Sequence, residues 1–380
     1  MSTVYIQSNN IISSLGFTTE ENMCAVVSGK SGLHYYKENT LDVPEAFYAS
    51  RVDTEKLNAQ FALISNMECS RFEKLAILSV HNAIKNSLVN TTDSRTLFIL
   101  STTKGNIAFL EQDTNNEQAY LWHSAQVIAN YFKNPNTPII VSNACISGIS
   151  ATIVAKRMLT SGNYDTVIVV GADIISKFII SGFQSFKALS QKACKPFDAN
   201  RVGLNLGEGA ATIILKINDK GNCLPKGTIT IENEAISNDA NHISGPSRTG
   251  EGLFLALQSV MKGRKAEEIG FVNAHGTATP YNDEMESIAL WRMGMTEIPV
   301  QSLKGYFGHT LGAAGLLELI ISAESLRQNT IIKSLGYETC GVSHPLHIIT
   351  ETKTKEITRC IKMVSGFGGC NAVCMLKKIS

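Results

Sequence analysis

Val141-Ser142-Asn143-Ala144-Cys145-Ile146-Ser147-Gly148 joins an apolar run to a helical pattern, with a cysteine at the joint. Upstream, Thr137-Pro138-Ile139-Ile140-Val141 is β-branched and bounded by proline, the composition of a buried strand. Downstream, Ile149, Ile153, Val154, Met158 and Leu159 recur at helical spacing until Gly162 supplies a left-handed stop. Cys145 is therefore expected at a helix N-terminus, where unpaired N–H groups and the positive end of the dipole favour thiolate, the form that attacks a carbonyl. Gly148, one turn on, is expected to leave room for a substrate. A strand-to-helix turn that lifts a nucleophile out of a sheet is also the device of the Gly-x-Ser-x-Gly elbow. A cysteine between alanine and isoleucine is by itself more often an inert core residue. The reading of Cys145 as a nucleophile thus depends on what the rest of the chain supplies.

The chain has 380 residues, 44% of them hydrophobic, enough for a large core and, on length alone, two or three domains. A net charge of +1 predicts no general affinity for nucleic acid or membrane, so an acidic partner must be met by a local patch. The nine cysteines are odd in number and lack a Cys-x-x-Cys pair, which argues against a disulfide framework or a zinc site and for a reducing compartment. The start, Met1-Ser2-Thr3-Val4-Tyr5-Ile6, is unlike a signal peptide, and no run of about twenty uncharged apolar residues occurs. A soluble, cytoplasmic protein is expected.

In chain order, Val4 to Ile6 reads as a short strand, and Thr18-Thr19-Glu20-Glu21 as a capped helix start closed by Gly29. Residues 33–60 read as an irregular surface excursion. Phe72, Leu75, Leu78 and Ala83 mark an amphipathic helix between Cys69 and Leu88. A strand at 96–101, a loop at 111–118, a helix at 124–132 and a strand at 166–170 follow. Such alternation argues for a parallel or mixed sheet with helices on its faces. The segment 186–209 holds Gly203, Gly207 and Gly209 but no following Lys-Ser or Lys-Thr, so it reads as backbone needing room rather than as a phosphate loop. After a strand at 210–215, the turn Asp219-Lys220-Gly221-Asn222 precedes a second strand, helix (251–262) and strand (269–274). This restart divides the chain into 1–222 and 223–380. In the second part, His275 follows a strand and precedes Gly276-Thr277-Ala278-Thr279-Pro280, and His309 ends Lys304-Gly305-Tyr306-Phe307-Gly308-His309 before the helical 313–326. Both lie where a strand end or glycine loop meets a helix, the rim at which open α/β folds bind ligands. The other six histidines read as structural.

With these motifs in order, the sequence resembles the β-ketoacyl synthases, the condensing enzymes of fatty-acid and polyketide synthesis, and especially the elongating type. The likeness rests on Asn143 to Gly148; on Ala274 to Pro280 with Asn282, Asp283 and Glu286; on Lys304 and Gly308 to Gly315 with Glu318; and on Gly366-Phe367-Gly368-Gly369-Cys370-Asn371-Ala372. It implies the thiolase-like fold, two similar α/β halves forming an α-β-α-β-α layered sandwich, normally as a homodimer. It implies decarboxylative Claisen condensation of an acyl chain, loaded on Cys145, with malonyl-acyl carrier protein. His275 and His309 would bind the malonyl thioester carbonyl while carbon dioxide leaves, and backbone N–H groups of Cys145 and Phe367 would hold the oxyanion. Lys304 and Glu318 would fix tautomer and charge around His309, and Asp283 would serve His275 similarly. Thr277 and Thr279 would hydrogen-bond the phosphopantetheine arm, with Asp283 and Gly368 also in the substrate-binding set. The large ring of Phe367 in a glycine-rich loop suggests a gate.

The resemblance requires no metal and no cofactor beyond the phosphopantetheine on the acyl carrier protein, for which Arg71, Lys74 and Lys192 are the expected docking contacts. Three departures stand out. Cys370 stands where the family more often has threonine or serine, so thiolase-like acyl exchange is an alternative. Val202 stands where the family tends to be acidic, a change expected to act on loop packing. The segment from Gly105 to Ser124 is short for this family. A further alternative is a non-catalytic chain-length partner in a ketosynthase heterodimer, a role in which the nucleophilic cysteine is lost.

Overall fold

The computed structural model describes residues 2–85, 87–111, 113–219 and 221–380. Met1, Asn86, Gln112 and Lys220, each inside a stretch read above, lie outside it. Two five-stranded runs meet at a single residue pair, Tyr5 with Thr230. The first holds Thr3–Ile12, Gly209–Asn218, Thr166–Asp173, Thr96–Ser101 and Ile139–Val141 in that lateral order. The second holds Ile229–Asn238, Cys370–Lys378, Arg359–Gly366, Phe271–Asn273 and Val300–Gln301. In each run the first three strands pair antiparallel and the last two join in parallel. The topology therefore repeats, which gives two similar halves.

The layers follow from which faces are apolar. Thr166–Asp173 is buried along its whole length, as a strand covered on both faces must be. Its Val167 and Val169 face one apolar cluster while Ile168 and Val170 face another. The first cluster also takes Ile149, Ile153 and Leu159 of the helix Ser147–Thr160 and Leu316, Leu317, Ile320 and Ile321 of the helix Ala314–Gln328. These two helices form the middle layer. On the outer faces lie the helix Arg71–Lys85 on one half, and Glu251–Val260 with Pro280–Arg292 on the other. The result is the α-β-α-β-α sandwich.

The middle helices cross at very short range. A Cβ on Gly148 would lie 2.5 Å from the backbone nitrogen of Leu316, and one on Gly315 3.1 Å from that of Ile149. Gly148 therefore makes room for the other helix and not for a substrate, which corrects the sequence reading. The glycine-rich 203–209 segment does carry backbone at close quarters, since a Cβ on Gly207 would lie 2.0 Å from the Phe307 carbonyl oxygen.

Other differences have local causes. The first strand runs through the polar Gln7-Ser8-Asn9-Asn10, because the Ser8 hydroxyl donates to the Ala83 carbonyl (2.6 Å) and the Asn10 amide to that of Phe17 (3.2 Å). Residues 33–60 are not an irregular excursion. Strands His34–Tyr36 and Phe47–Ser50 form a small sheet with Leu206–Gly207, and the helix Thr54–Ala62 buries Leu57 and Phe61. That pairing partner lies some 150 residues away, beyond the reach of local pattern. The stretch read as a loop near residue 111 is bounded by 3₁₀ turns, Ile107–Glu111 and Glu117–Ala119.

Gly148→Ala is expected to lower the unfolding free energy by about 1–3 kcal/mol, the usual cost of overpacking, read from urea midpoints at constant m. Gly182, in a helix with open space around it, supplies the comparison. Gly182→Ala is expected to be neutral or to stabilise by up to about 1 kcal/mol. Equal stability of the two variants would contradict the close crossing.

Candidate active site

Between Val141 and Ser147 the chain turns sharply. Ala144 adopts a left-handed φ of 44°, a conformation costing an alanine on the order of 1 kcal/mol. Ser147 holds the turn, accepting from the Asn143 N–H (2.7 Å) and donating to the Ala144 carbonyl (2.6 Å). Cys145 is thereby presented ahead of the helix, 7% exposed, with the backbone N–H groups of Phe367 and of Cys145 itself directed at its sulfur. Burial nevertheless pushes the thiol up to about 11, against the opposing pull of Lys304 and those N–H groups. Cys145 is a desolvated thiol, where the sequence led to the expectation of a thiolate.

His309 Nε2 lies 3.0 Å from Cys145 Sγ. Its Nδ1 accepts the Leu311 N–H at 3.2 Å, so in the neutral ring the proton sits on Nε2 and the imidazole is a donor toward the sulfur. The backbone of His309 is strapped to the 205–207 segment, donating to the Asn205 carbonyl (2.7 Å) and accepting from the Gly207 N–H (2.9 Å). His275 meets His309 edge-to-face with ring centroids 5.0 Å apart. Sγ and one ring nitrogen of each histidine all lie within 4.8 Å of one another. Burial, then the Lys304 charge, holds both imidazoles well below the ordinary histidine range, so both are neutral at pH 7.

The supporting residues differ in part from expectation. Lys304 pairs with Glu318, and its Nζ lies 3.5 Å from Nδ1 of His275, so it contacts that ring and not His309, on which it acts by its charge alone. Asp283 does not reach the His275 ring either. Its carboxylate accepts the N–H groups of Phe197 (2.7 Å) and Thr277 (3.0 Å), while Glu286 accepts those of His275 and Gly276, each at 2.7 Å. These two carboxylates shape the loop that carries the histidine. Asp173, at the end of its strand, similarly gathers the Thr102 and Thr103 hydroxyls and the N–H groups of Thr103, Lys104 and Gly312.

Two cavities meet at Cys145. The larger, about 540 Å³, is lined by Thr277, Thr279, His242, Val202 and Lys187 as well as His275 and His309. The hydroxyls of Thr277 and Thr279 share a 2.9 Å hydrogen bond. The smaller, about 290 Å³, is mostly apolar, with Phe178, Ile179, Leu311 and Lys104 in its wall. Phe183, Phe186 and Phe367 line both, and the Phe367 ring lies 5.8 Å from Phe183 and 5.2 Å from Phe186. Val202 is 61% exposed on the larger cavity's wall, so its effect is on that surface and not on loop packing.

The profile of the β-ketoacyl synthase N-terminal domain matches residues 1–220, and that of the C-terminal domain residues 229–338. The chain belongs to the β-ketoacyl synthase family. It is 28% identical over 416 aligned residues to 3-oxoacyl-[acyl-carrier-protein] synthase 2 of Vibrio cholerae, covering 99% of each chain. Among solved structures, the ishigamide ketosynthase/chain length factor superposes with a TM-score of 0.87 at 24% identity, covering 100% of this chain and 99% of the other. A ketosynthase from Xenorhabdus doucetiae, in complex with its chain length factor, gives 0.86 at 25% identity, covering 99% and 98%.

In this synthase the remaining expected residues fall in different places. Gly368, with φ of 84°, donates its N–H to the Ile243 carbonyl (2.7 Å) and lines neither cavity, so it shapes the hairpin and does not contact the substrate space. The Cys370 sulfur accepts from the Asn238 amide at 3.2 Å and is likewise outside both cavities. Arg71 turns inward to Glu208 (2.5 Å), the Val52 carbonyl and the Thr54 hydroxyl, which neutralises the charge expected to meet a carrier. Lys74 donates to Asn58 (2.9 Å) over the Phe61 ring, and Lys192 is exposed. Sequence reading missed Lys187 at the cavity mouth, His242 in its wall and the fully buried Lys362 beside Glu318. A single lysine inside the apolar run Cys360-Ile361-Lys362-Met363-Val364 was the available signal for the last.

Because the thiol sits high, alkylation of Cys145 by iodoacetamide is expected to accelerate about tenfold per pH unit between pH 7 and 9, following thiolate fraction. A rate already level at pH 7 would show a standing thiolate instead.

Proposed function

We propose that the chain catalyses decarboxylative condensation of an acyl group with malonyl-acyl carrier protein, in fatty-acid or polyketide chain elongation. The observation that carries this reading is the pair of neutral, buried imidazoles beside the Cys145 sulfur, where two cavities converge. In the first half-reaction, Cys145 Sγ attacks the carrier thioester carbonyl, the bond to the carrier sulfur breaks, and the thiol proton passes to the departing carrier thiol. The N–H groups of Cys145 and Phe367 would hold the oxyanion. In the second, the malonyl thioester enters through the larger cavity, its arm against Thr277 and Thr279. The bond to its carboxylate breaks, carbon dioxide leaves, and Nε2–H donors of His275 and His309 hold the enolate oxygen. The enolate carbon then bonds to the acyl carbonyl and the bond to Cys145 Sγ breaks, giving a β-ketoacyl thioester and a thiolate that takes a proton from water to restore the resting thiol. Neutral donors suit this step, since an imidazolium would protonate the enolate carbon before condensation.

The smaller apolar cavity would take the acyl chain, with Phe367 as the gate between the two spaces. The chemistry takes no cofactor of its own. Lys192 and Lys187 are the proposed contacts for the acidic carrier, and a homodimer is the proposed assembly. The nine free cysteines favour a reducing, cytoplasmic setting. The non-catalytic alternative is disfavoured by the joint presence of Cys145, His275 and His309 in one site.

Mass spectrometry after incubation with acyl-carrier thioesters should place the acyl group on Cys145 and lose it in Cys145→Ala. Acylation of Cys370, or acylation surviving the substitution, would sink the assignment. His275→Ala and His309→Ala should each lose on the order of 10²-fold or more of condensation, the scale of removing an oxyanion donor, while Cys145 is still acylated. Near-normal condensation in both variants would overturn the decarboxylative reading.

A further inference from the structure

Resting on the condensing function proposed above, we infer that Lys362 is a positioning residue for decarboxylation: it clamps the second oxygen of Glu318, holds the strand end that carries His275, and adds its ammonium charge to that of Lys304 beside the imidazole pair. Lys362 lies mid-strand in Arg359–Gly366 and is 0% exposed. Burying an unpaired ammonium costs several kcal/mol, so its contacts decide whether it is tolerated. They are specific. Nζ lies 2.5 Å from Glu318 Oε2 and 2.9 Å from the carbonyl oxygen of Ala274, the residue before His275. It also lies 3.4 Å from both the carbonyl and the side-chain oxygen of Asn273. Asn273 in turn donates to the Glu318 carbonyl (3.2 Å) and the Ser322 hydroxyl (2.8 Å). One ammonium thus ties the strand leading into His275 to the central helix Ala314–Gln328.

The sharing of one carboxylate gives this placement a chemical consequence. Lys304 and Lys362 both pair with Glu318, and the other acid of the cluster, Glu286, has its carboxyl pushed up to about 7 by burial, so the ammonium groups are the charges that act on the rings. The groups facing the two rings from the packed elements are Lys304, Lys362, Glu318, Glu286 and the Cys145 thiol. Both lysines press both imidazoles toward the neutral form. Removing the Lys362 charge therefore raises the pH at which the rings gain a proton.

The test is the pH profile of β-ketoacyl product formation in the intact enzyme, with Cys145 acylation by a small thioester reporting that each variant is folded. Lys362→Met should move the acid limb up by on the order of one pH unit, and Lys362→Gln should move it the same way. A loss of rate that is uniform across pH in both variants, or an acid limb displaced downward, would reduce Lys362 to a packing role and overturn the proposal. Should Lys362→Met not fold, Lys362→Gln, which keeps a donor but no charge, takes its place. The wild-type profile is a second check, because its acid limb must lie below the ordinary imidazole value of about 6.5. A wild-type enzyme that neither acylates Cys145 nor releases carbon dioxide refutes the condensing function itself. An active enzyme with unmoved limbs refutes only the role of Lys362.

Discussion

The close crossing of Ser147–Thr160 and Ala314–Gln328 is the contact on which both fold and site depend. Gly148 against Leu316 and Gly315 against Ile149 let the two backbones approach where any side chain would push them apart. Cys145 precedes the first helix and His309 the second, so the crossing sets the distance between sulfur and imidazole. Glu318 rides on the second helix one turn beyond the crossing, and through it Lys304 and Lys362 are placed. The repeat of topology in the two halves supplies two equivalent helix starts facing one another. The site is what those two starts enclose.

Within that enclosure burial is the dominant electrostatic effect. It holds the thiol protonated and both rings neutral, and it makes every remaining charge act at long range. A thiol at rest is less exposed to adventitious alkylation than a thiolate, and it becomes nucleophilic as substrate carbonyl and N–H groups accept charge together. Neutral imidazoles can hold an enolate oxygen without surrendering a proton to its carbon. Each lysine that favours this state requires the Glu318 carboxylate, which is why the cluster is ionic although it lies deep in the molecule.

The order of strands and helices was legible because buried parallel strands such as Thr166–Asp173 read as continuous apolar runs, and because Thr18 with Glu21 forms the capping box its sequence announces. That Cys145 and the two histidines come together was legible because each falls at a strand or loop end preceding a helix, within motifs that the family shares. What escaped was whatever depends on distant partners. The small sheet of His34–Tyr36, Phe47–Ser50 and Leu206–Gly207 joins segments with no local signal for one another. The inward turn of Arg71 depends on Glu208, the partner of Lys304 on a ring 29 residues earlier, and the purpose of Gly148 on a helix in the other half. The charge state of Cys145 was misread for the same reason, since a helix start is visible in sequence and desolvation is not.

The protonation state of the two rings is the point at which geometry, electrostatics and chemistry meet. Nitrogen-15 NMR of the histidine-labelled enzyme reads it directly. His275 and His309, assigned by single substitution, should both show the neutral tautomer with the proton on Nε2 at pH 7 and keep it as the pH falls through the ordinary imidazole value. Imidazolium signals from either ring at pH 7, or a neutral His309 carrying its proton on Nδ1, would contradict this.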